Sequence, residues 1–471
     1  MTGHATIDVL PDDVLLEIFD CYLYEARKSS VIEKWDTLAH VSRKWRCVVF
    51  DSPRRLNLQL FCSRRTPVRE MLTIWPPLPI FIYEEDHSSY DEDNIIAALE
   101  QRDRVCIIDL YEVPDSLLEN LFAAMQEPFP ALESLVLMTE DDTAPVIPDT
   151  FLGGFAPDLE TLELREISIP FPVLRKLLLS TTDLVSLSLH KIIHSEYFSP
   201  KAMVTFLSVL TRLEYLDIGF DFPLSRPYRE NRLPPPLTRT LFPALCQLEL
   251  TGVSEYLEDL VAQIDAPLLF KLELRFFHQL IFDTPQLAQF ISRRQKDVSE
   301  APNKAHITFF DHKVTVSLPE LFAYGLELVI LCRQSDWQLS ALAQVCNSSF
   351  PHSFVPTVED LYIFDKTYSL RWQDDIEDSQ WLELLHPFTG VKNLFLSRKF
   401  APRIAPALQE LVGDRANEVL PALQNISWEG LQPSGVVPEV IGQFVTARHL
   451  SGHPLAVIPW TGRDAWSKVD G

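Results

Sequence analysis

The chain has 471 residues, with 41 Lys and Arg against 66 Asp and Glu, so its formal net charge is −25. It contains 35 Pro but only 14 Gly, and the motifs GxGxxG, GxxxxGK[ST] and GxSxG do not occur. These motifs bring backbone close to phosphate or form a nucleophile elbow, so their absence excludes the corresponding nucleotide-binding and hydrolase sites. The acidic total also disfavours binding to nucleic acid or to anionic membranes.

The cysteine pattern and the chain start indicate the compartment. The seven cysteines are scattered and include no CxxC pair, which disfavours a disulfide framework or a zinc module. No basic segment followed by an apolar one starts the chain, and no run of about 18 apolar residues occurs. We therefore expect an intracellular protein, cytoplasmic or nuclear, with no membrane span, metal or cofactor.

Charge divides the chain near residue 80. Residues 1–80 hold 11 Lys and Arg and 10 Asp and Glu, whereas residues 81–471 hold 30 and 56. A proline cluster at 75–79 and an acidic stretch at 83–93 mark the change. We predict a helical domain over 1–60 and a transition segment over 61–100.

The first domain shows helical periodicity. Pro11 suits the first turn of a helix, and Leu15 and Ile18 then share one face. A second helix is predicted from about residue 36 to residue 50, with Val41 and Trp45 at helical spacing. A self-contained three-helix packing unit would explain this pattern by itself.

The order of these residues resembles the F-box over roughly residues 8–58. The matching positions are Leu10-Pro11, Leu15, Ile18, Val41, Arg43, Trp45-Arg46 and Ser52-Pro53. The link over 25–34 is longer and more charged than usual, and Ser42 stands where Cys is common. The whole sequence is similar to F-box proteins of mushroom-forming fungi.

The resemblance implies that this domain docks into a groove of a Skp-type adaptor and, through it, joins a cullin. The implied adaptor-binding anchors are Leu10, Pro11, Leu15, Ile18, Val41 and Trp45. For Leu15, Ile18 and Val41 a place in the internal core of the helical unit is equally open.

The rest of the chain repeats the unit Pro-x-Leu-x-x-Leu-x-Leu. Clear copies are PALESLVL (130–137), PDLETLEL (157–164), PALCQLEL (243–250) and PLLFKLEL (267–274). Copies and degenerate forms recur every 24 to 33 residues, apart from one interval of 89, and such periods are typical of leucine-rich repeats. A nonrepetitive α+β domain is the alternative.

The predicted fold class is α/β. It consists of a short helical F-box, then an irregular leucine-rich-repeat-like solenoid over 101–445 with parallel concave strands and helical or irregular convex segments. A cap or tail follows over 446–471. The stretch 306–331 could form a local antiparallel excursion.

The repeat geometry predicts a binding surface. In LxxLxL the leucines point inward, so alternate residues face the concave surface. These residues are acidic at first and aromatic later, which would suit a basic protein client; a solvated strand face is the alternative. The candidate client-binding residues are Asp109, Glu163, Asp217, Glu249, Glu273, Tyr362 and Phe395.

No motif indicates catalysis. His190 and His194 lack the Glu of a metalloprotease motif, and the acids at 374–378 suit a helix start. By resemblance, the chain would be a non-catalytic, substrate-recruiting subunit of a Skp–cullin–F-box ubiquitin ligase. The alternative is a repeat-based interaction scaffold unconnected with ubiquitination.

Overall fold

The computed structural model divides the chain into two compact units, Met1–Ile192 and Ile193–Gly471. The structure describes residues 10–28, 35–56, 58–62, 68–83, 90–139, 145–192, 199–222, 238–279, 281–294, 302–319, 325–332, 335–350, 354–367, 378–398, 400–411, 415, 418–429 and 439–460. None of the helices in these ranges combines the length and apolarity needed to cross a membrane.

The first unit begins with four helices. They are α1 (Asp12–Lys28), α2 (Trp35–Val41), α3 (Arg43–Asp51) and α4 (Pro53–Leu56). The predicted second helix is therefore two helices, because Ser42 interrupts it and its Oγ accepts a hydrogen bond from the Trp45 N–H at 3.2 Å. Helix α1 packs on α3 and α4, and α2 packs on α3.

Strands and helices then alternate in the first unit. The elements are β1 (Leu60–Cys62), α5 (Val68–Ile74), β2 (Ile80–Tyr83), α6 (Glu92–Leu99), β3 (Val105–Val113), α7 (Asp115–Ala124), β4 (Ser134–Thr139), a 3₁₀ turn (Phe151–Gly154), β5 (Thr161–Arg165), α8 (Phe171–Leu178) and β6 (Ser186–Ile192). Each strand pairs in parallel with the next.

This sheet starts earlier than the sequence predicts. The segment 61–100, predicted as a transition, contributes most of β1 and all of β2 to the parallel sheet. The helices of residues 10–56 also belong to the same compact unit as this sheet. Strands of three and four residues are too short to show the leucine pattern, which is why the sequence predicts the start of the array only at residue 101.

The second unit continues the alternation. Its elements are α9 (Pro200–Leu207), β7 (Tyr215–Phe220), β8 (Thr240–Leu241), β9 (Gln247–Gly252), α10 (Ser254–Gln263), β10 (Ile264–Asp265), β11 (Lys271–Phe277), α11 (Pro285–Arg294), β12 (Lys304–Phe309), β13 (Lys313–Leu318), β14 (Leu326–Leu331), α12 (Ser335–Ser348), a 3₁₀ turn (Val355–Thr357), β15 (Asp360–Asp365), α13 (Asp378–Leu385), β16 (Asn393–Leu396), α14 (Ala401–Gln409), β17 (Asn425–Glu429), α15 (Glu439–Leu450) and β18 (Ala456–Trp460). Strands β8 and β10 form a separate parallel pair.

The main sheet of this unit has one reversal. Its order is β7-β9-β11-β14-β13-β12-β15-β16-β17-β18. Strand β13 pairs antiparallel with both neighbours, and the other pairs in this order are parallel. The antiparallel excursion considered for 306–331 is thus confirmed, and it occupies the long interval between recognisable repeats.

The sheet also runs into the predicted tail. Strand β18 pairs with β17, so the repeated arrangement reaches Trp460. Mixed α/β structure with mostly parallel sheets is therefore the architecture of both units. Repeat leucines such as Leu135, Leu162 and Leu248 are fully buried, while the residues between them point to the other face, which we call the open face. Several residues of the open face are themselves buried, among them Ser188, Asp217 and Glu249.

A buried carboxylate joins two helices of the second unit. The side chain of Glu258 on α10 is only 5% exposed and accepts hydrogen bonds from the backbone N–H groups of Gln286 and Leu287 in the first turn of α11. The first N–H groups of a helix have no partner within that helix, so the carboxylate completes the start of α11.

Replacing Glu258 with Ala should lower the free energy of unfolding by about 2 kcal/mol, because a buried and a part-buried donor lose a charged acceptor. Thermal and urea unfolding of the full chain measure this. The matched control is Glu119→Ala on the exposed side of α7, which should change stability by less than about 0.5 kcal/mol. Equal loss in both variants would contradict the capping role.

Candidate partner-binding surfaces

An apolar stripe runs along the exposed side of α1. Val14, Ile18 and Tyr22 lie four residues apart, and each is about 40% exposed. Pro11 precedes them by three residues and is exposed as well. Helical spacing places the four on one face, which we call the α1 stripe. Val41, at the end of α2, is 52% exposed.

Two of the predicted adaptor anchors lie in the core instead. Leu15 is fully buried, and Trp45 is 8% exposed and packs on Phe19 with ring centroids 4.8 Å apart. Both side chains hold the helices together, which for Leu15 is the alternative that the periodicity left open. Their burial shows a packing role, and their assignment as direct docking contacts stays a prediction.

The start of α1 is fastened to α3. Leu10 is half-buried, and its carbonyl oxygen accepts a hydrogen bond from Lys44 Nζ at 2.5 Å. The same ammonium lies 3.4 Å from Asp12 Oδ1. Lys44 thereby fixes the point at which the chain enters the α1 stripe. The long link predicted over 25–34 lies outside the described residues from 29 onward.

A row of four acids crosses the open face of the second unit. Asp217, Glu249, Glu273 and Glu327 are register partners on β7, β9, β11 and β14. Glu327 was missed because it lies in the interval without a recognisable repeat. Its segment LELVIL does share the Leu-Glu-Leu core of the clear copies, and that signal could have identified it.

Two bases on β11 pair with this acidic row. Lys271 Nζ is 2.6 Å from Glu249 Oε1, and the Arg275 guanidinium is 2.6 Å from Glu273 Oε1 and 3.5 Å from Glu249 Oε2. Burial acts to lower the pKa of Arg275, but the carboxylates of Glu273, Glu249 and Asp217 raise it above its ordinary value. These acids are therefore balanced from within the sheet, which weakens the prediction that Asp217, Glu249 and Glu273 await a basic client.

Glu327 is the least favourably placed acid of the row. Burial raises the pKa of its carboxyl above the ordinary value of 4.5, and the negative charge of Glu273 adds to this effect. The cations of Lys313, Arg275 and Lys271 oppose the shift without cancelling it.

The open face of the first unit carries Asp109 and Glu163. Both lie in one register row that also holds Tyr83, Val136 and Ser188. Glu163 forms an ion pair with Arg165 on the same strand. Asp109 instead is hydrogen-bonded to Tyr111, and burial raises the pKa of its carboxyl, with Glu163 adding to the rise.

Five rings meet on the open face near the end of the second unit. Tyr362 and Phe395 are register partners and stack with centroids 4.2 Å apart at 6°. Trp460 packs on Phe395 at 5.5 Å and on Phe364 at 5.6 Å, and His306 packs on Tyr362 at 4.8 Å. We call these rings the aromatic cluster. The sequence identified Tyr362 and Phe395, whereas His306 and Trp460 were missed because β12 and β18 lack the repeat motif, and Phe364 because it lies one residue past the end of the motif on β15.

A polar ladder runs beside the aromatic cluster. Asn425 Nδ2 donates to Asn393 Oδ1 at 2.7 Å, and Asn393 Nδ2 donates to Asp360 Oδ1 at 2.6 Å. These residues are register partners two positions before the Tyr362 row. The open face there presents apolar rings next to ordered amide groups.

The described residues contain no group of three or more His, Cys, Asp or Glu arranged to hold a metal ion. His190 lies on β6, whereas His194 and the acids at 374–377 fall outside the described residues. Burial raises the pKa of the Cys332 and Cys346 thiols to about 12, so both remain protonated thiols at neutral pH.

Comparison with known proteins gives weak likenesses. No family model and no curated protein matches the chain. A solved structure described as the Rad7 and Elc1 complex in yeast is 14% identical, covers 96% of this chain and 93% of its own, and has a TM-score of 0.32. The leucine-rich repeat-containing protein LegL7 from Legionella pneumophila is 13% identical, covers 73% and 98%, and has a TM-score of 0.27. At these scores, neither likeness carries a functional argument.

Replacing Glu327 with Gln should raise the thermal unfolding midpoint at pH 7. The raised pKa means that the folded chain binds this proton more readily than the unfolded chain, so the carboxyl favours folding below its ordinary pKa. That contribution is lost as pH rises through the folded-state value, and a neutral amide avoids the loss. The gain should vanish near pH 4. A Glu119→Gln control should leave the unfolding midpoint unchanged at pH 7 and at pH 4. An equal rise in the midpoint of Glu327→Gln at both pH values would contradict the burial argument.

Proposed function

We propose that this chain is the substrate-recruiting subunit of a Skp–cullin–F-box type ubiquitin ligase. The α1 stripe, with Val41, would dock a Skp-type adaptor, and the open faces of the sheets would bind a protein client. The observation that carries the proposal is the exposed α1 stripe in the segment whose residue order resembles the F-box.

The energetics of the stripe favour a partner. Burying one large aliphatic side chain contributes roughly 1.5–3 kcal/mol, and Ile18 and Val41 each leave a large part of that unrealised. Helix-in-groove docking uses residues at such spacings as anchors. The docking set that we propose is Pro11, Val14, Ile18, Tyr22 and Val41, with Leu10 held at its edge by Lys44.

The resemblance and the structure divide the F-box positions between two tasks. Leu15 and Trp45 keep the helices packed, and Pro11, Ile18 and Val41 face outward. This division supports docking without unfolding, because the outward residues can be buried by a partner while the core stays intact.

The proposed role requires no bond chemistry from this chain. A client held on the open face would be kept close to the ubiquitin-charged enzyme that the cullin recruits. Tethering turns a meeting of two molecules into a local event and raises the effective concentration. The aromatic cluster is a suitable client contact, since aromatic side chains are enriched where interfaces bind tightly.

One observation favours a second candidate, a repeat-based interaction scaffold unconnected with ubiquitination. The helices of residues 10–56 lie in the same compact unit as strands β1 to β6, and Leu56 and Leu58 are buried at the point where the chain passes into β1. Helices arranged in this way can act as a cap for the array. This candidate has no adaptor bound at the α1 stripe.

The double variant Ile18→Ser, Val41→Ser should lose co-purification with a Skp-type adaptor. Each exposed anchor is expected to contribute about 1–2 kcal/mol, so adaptor affinity should fall at least ~10-fold. Both side chains are exposed, so the fold should be unchanged, whereas replacing Trp45 would disturb the core.

The matched control for adaptor binding is Ile74→Ser, because Ile74 is 70% exposed at the end of α5, outside the segment whose residue order resembles the F-box. It should bind the adaptor like the unaltered chain. An unaltered chain that fails to bind any Skp-type adaptor would favour the scaffold.

A further inference from the structure

An aromatic corner lies on the open face of the first unit, where β1, β2 and β3 meet. Phe61 packs edge-on against Phe81 at 5.7 Å and against Tyr83 at 5.6 Å. All three rings are half-buried. Ring faces carry negative charge, so such a group attracts cations as well as apolar side chains.

A carboxylate stands beside this corner. Asp109 on β3 is the direct register partner of Tyr83 on β2. In the part of the chain that the structure describes, its Oδ1 atom is buried and accepts no hydrogen bond. The side chain as a whole is half-buried, so an approaching group can contact the exposed part of it.

The surroundings of Asp109 differ from those of Glu163, Glu249 and Glu273, each of which forms an ion pair with a base. Glu163 has Arg165, and Glu249 and Glu273 have Lys271 and Arg275. The groups that act on Asp109 are the Tyr111 hydroxyl, which donates to it, and the carboxylate of Glu163, which repels it. A desolvated anion next to another anion is stabilised by a cation brought from outside.

We propose that Asp109, Tyr83 and Phe61 form a recognition site for a lysine or arginine side chain of the protein client. The cation would lie against the Tyr83 and Phe61 rings and pair with the Asp109 carboxylate. This inference deepens the proposed function, since it names the client chemistry read by the open face. It moves the basic-client prediction from the acidic row, which is balanced internally, to a corner where a carboxylate without an ion pair among the described residues lies beside aromatic rings.

The charge of the whole chain agrees with this class of partner. A net charge of −25 attracts basic protein segments and repels nucleic acid. A purely apolar client side chain would fit the rings but would leave the Asp109 carboxylate further desolvated, at a cost. A cationic side chain satisfies both, because its stem is apolar and its head is charged.

Differential selection from a displayed library of random 12-residue peptides tests the site. One portion of the library is depleted on the full-length Asp109→Asn variant and then selected on the unaltered chain. A second portion is depleted on Glu119→Gln, which changes the net charge equally, before the same selection. The first portion should yield binders that carry Lys or Arg, and the second should lose them.

The binders are then measured singly by fluorescence anisotropy. Replacing the shared Lys or Arg by Gln should weaken binding roughly tenfold, and Asp109→Asn should weaken the original peptide by the same factor. The two changes together should cost no more than one of them, which shows direct coupling. Tyr83→Leu should also weaken binding, and exchange of Lys for Arg shows which cation is preferred.

Three results would overturn the site. They are an empty first selection, binders without a basic residue, and peptide and protein changes whose effects simply add. Binders that contain only apolar residues would show a plain apolar surface. Adaptor binding should be unchanged in Asp109→Asn. A negative peptide test would therefore contradict the recognition site but not the proposed adaptor binding. Failure of the unaltered chain to bind an adaptor would in turn leave the peptide result valid.

Discussion

In-register parallel pairing is the constraint on which both units depend. Each strand buries its leucines on one face, and parallel neighbours with matched register place equivalent residues side by side. A residue type repeated in the motif therefore becomes a continuous row on the open face. The charge and polarity of that face are therefore set by rows of residues that span several strands. The environment of one side chain depends on its register partners on the neighbouring strands.

A row of equivalent residues brings like charges close together, and the resulting repulsion is balanced or avoided differently in different parts of the sheets. Glu273 has a base two residues away on each side on the same face of β11, and both bases also reach Glu249 on the neighbouring strand β9, so β11 supplies the counter-charge for both acids. In the Asp109 row, the neighbouring strand β2 contributes Tyr83. The residues two positions from Asp109 on β3 are Ile107 and Tyr111, so β3 itself supplies no base. At the far end of the second unit, stacked rings replace charges altogether. Ion-paired acids, an acid beside aromatic rings, and stacked rings are thus presented by the same parallel strand arrangement.

The leucine motif predicted the strands that it covers, and alternation placed Glu163, Tyr362 and Phe395 on the correct face. It could not predict β1 and β2, which are too short to show a period, or the register of β14, which depends on an antiparallel partner. Helical periodicity grouped Leu15 with Ile18, yet one is buried and the other exposed. Residues three apart share a broad face, and only the packing of α3 and α4 decides which edge of it becomes core.

The reversed order β14-β13-β12 has a consequence for how the chain can be shortened or rearranged in evolution. Strand β11 is bordered by β14 and β15 by β12, so the three excursion strands are gained or lost as one block. Ending the chain after β12 would leave that strand without β13 or β15 and β11 without β14. The parallel repeats before and after this block can be removed one at a time. The block therefore divides the sheet of the second unit into two parts, and the number of strands in each part can change independently.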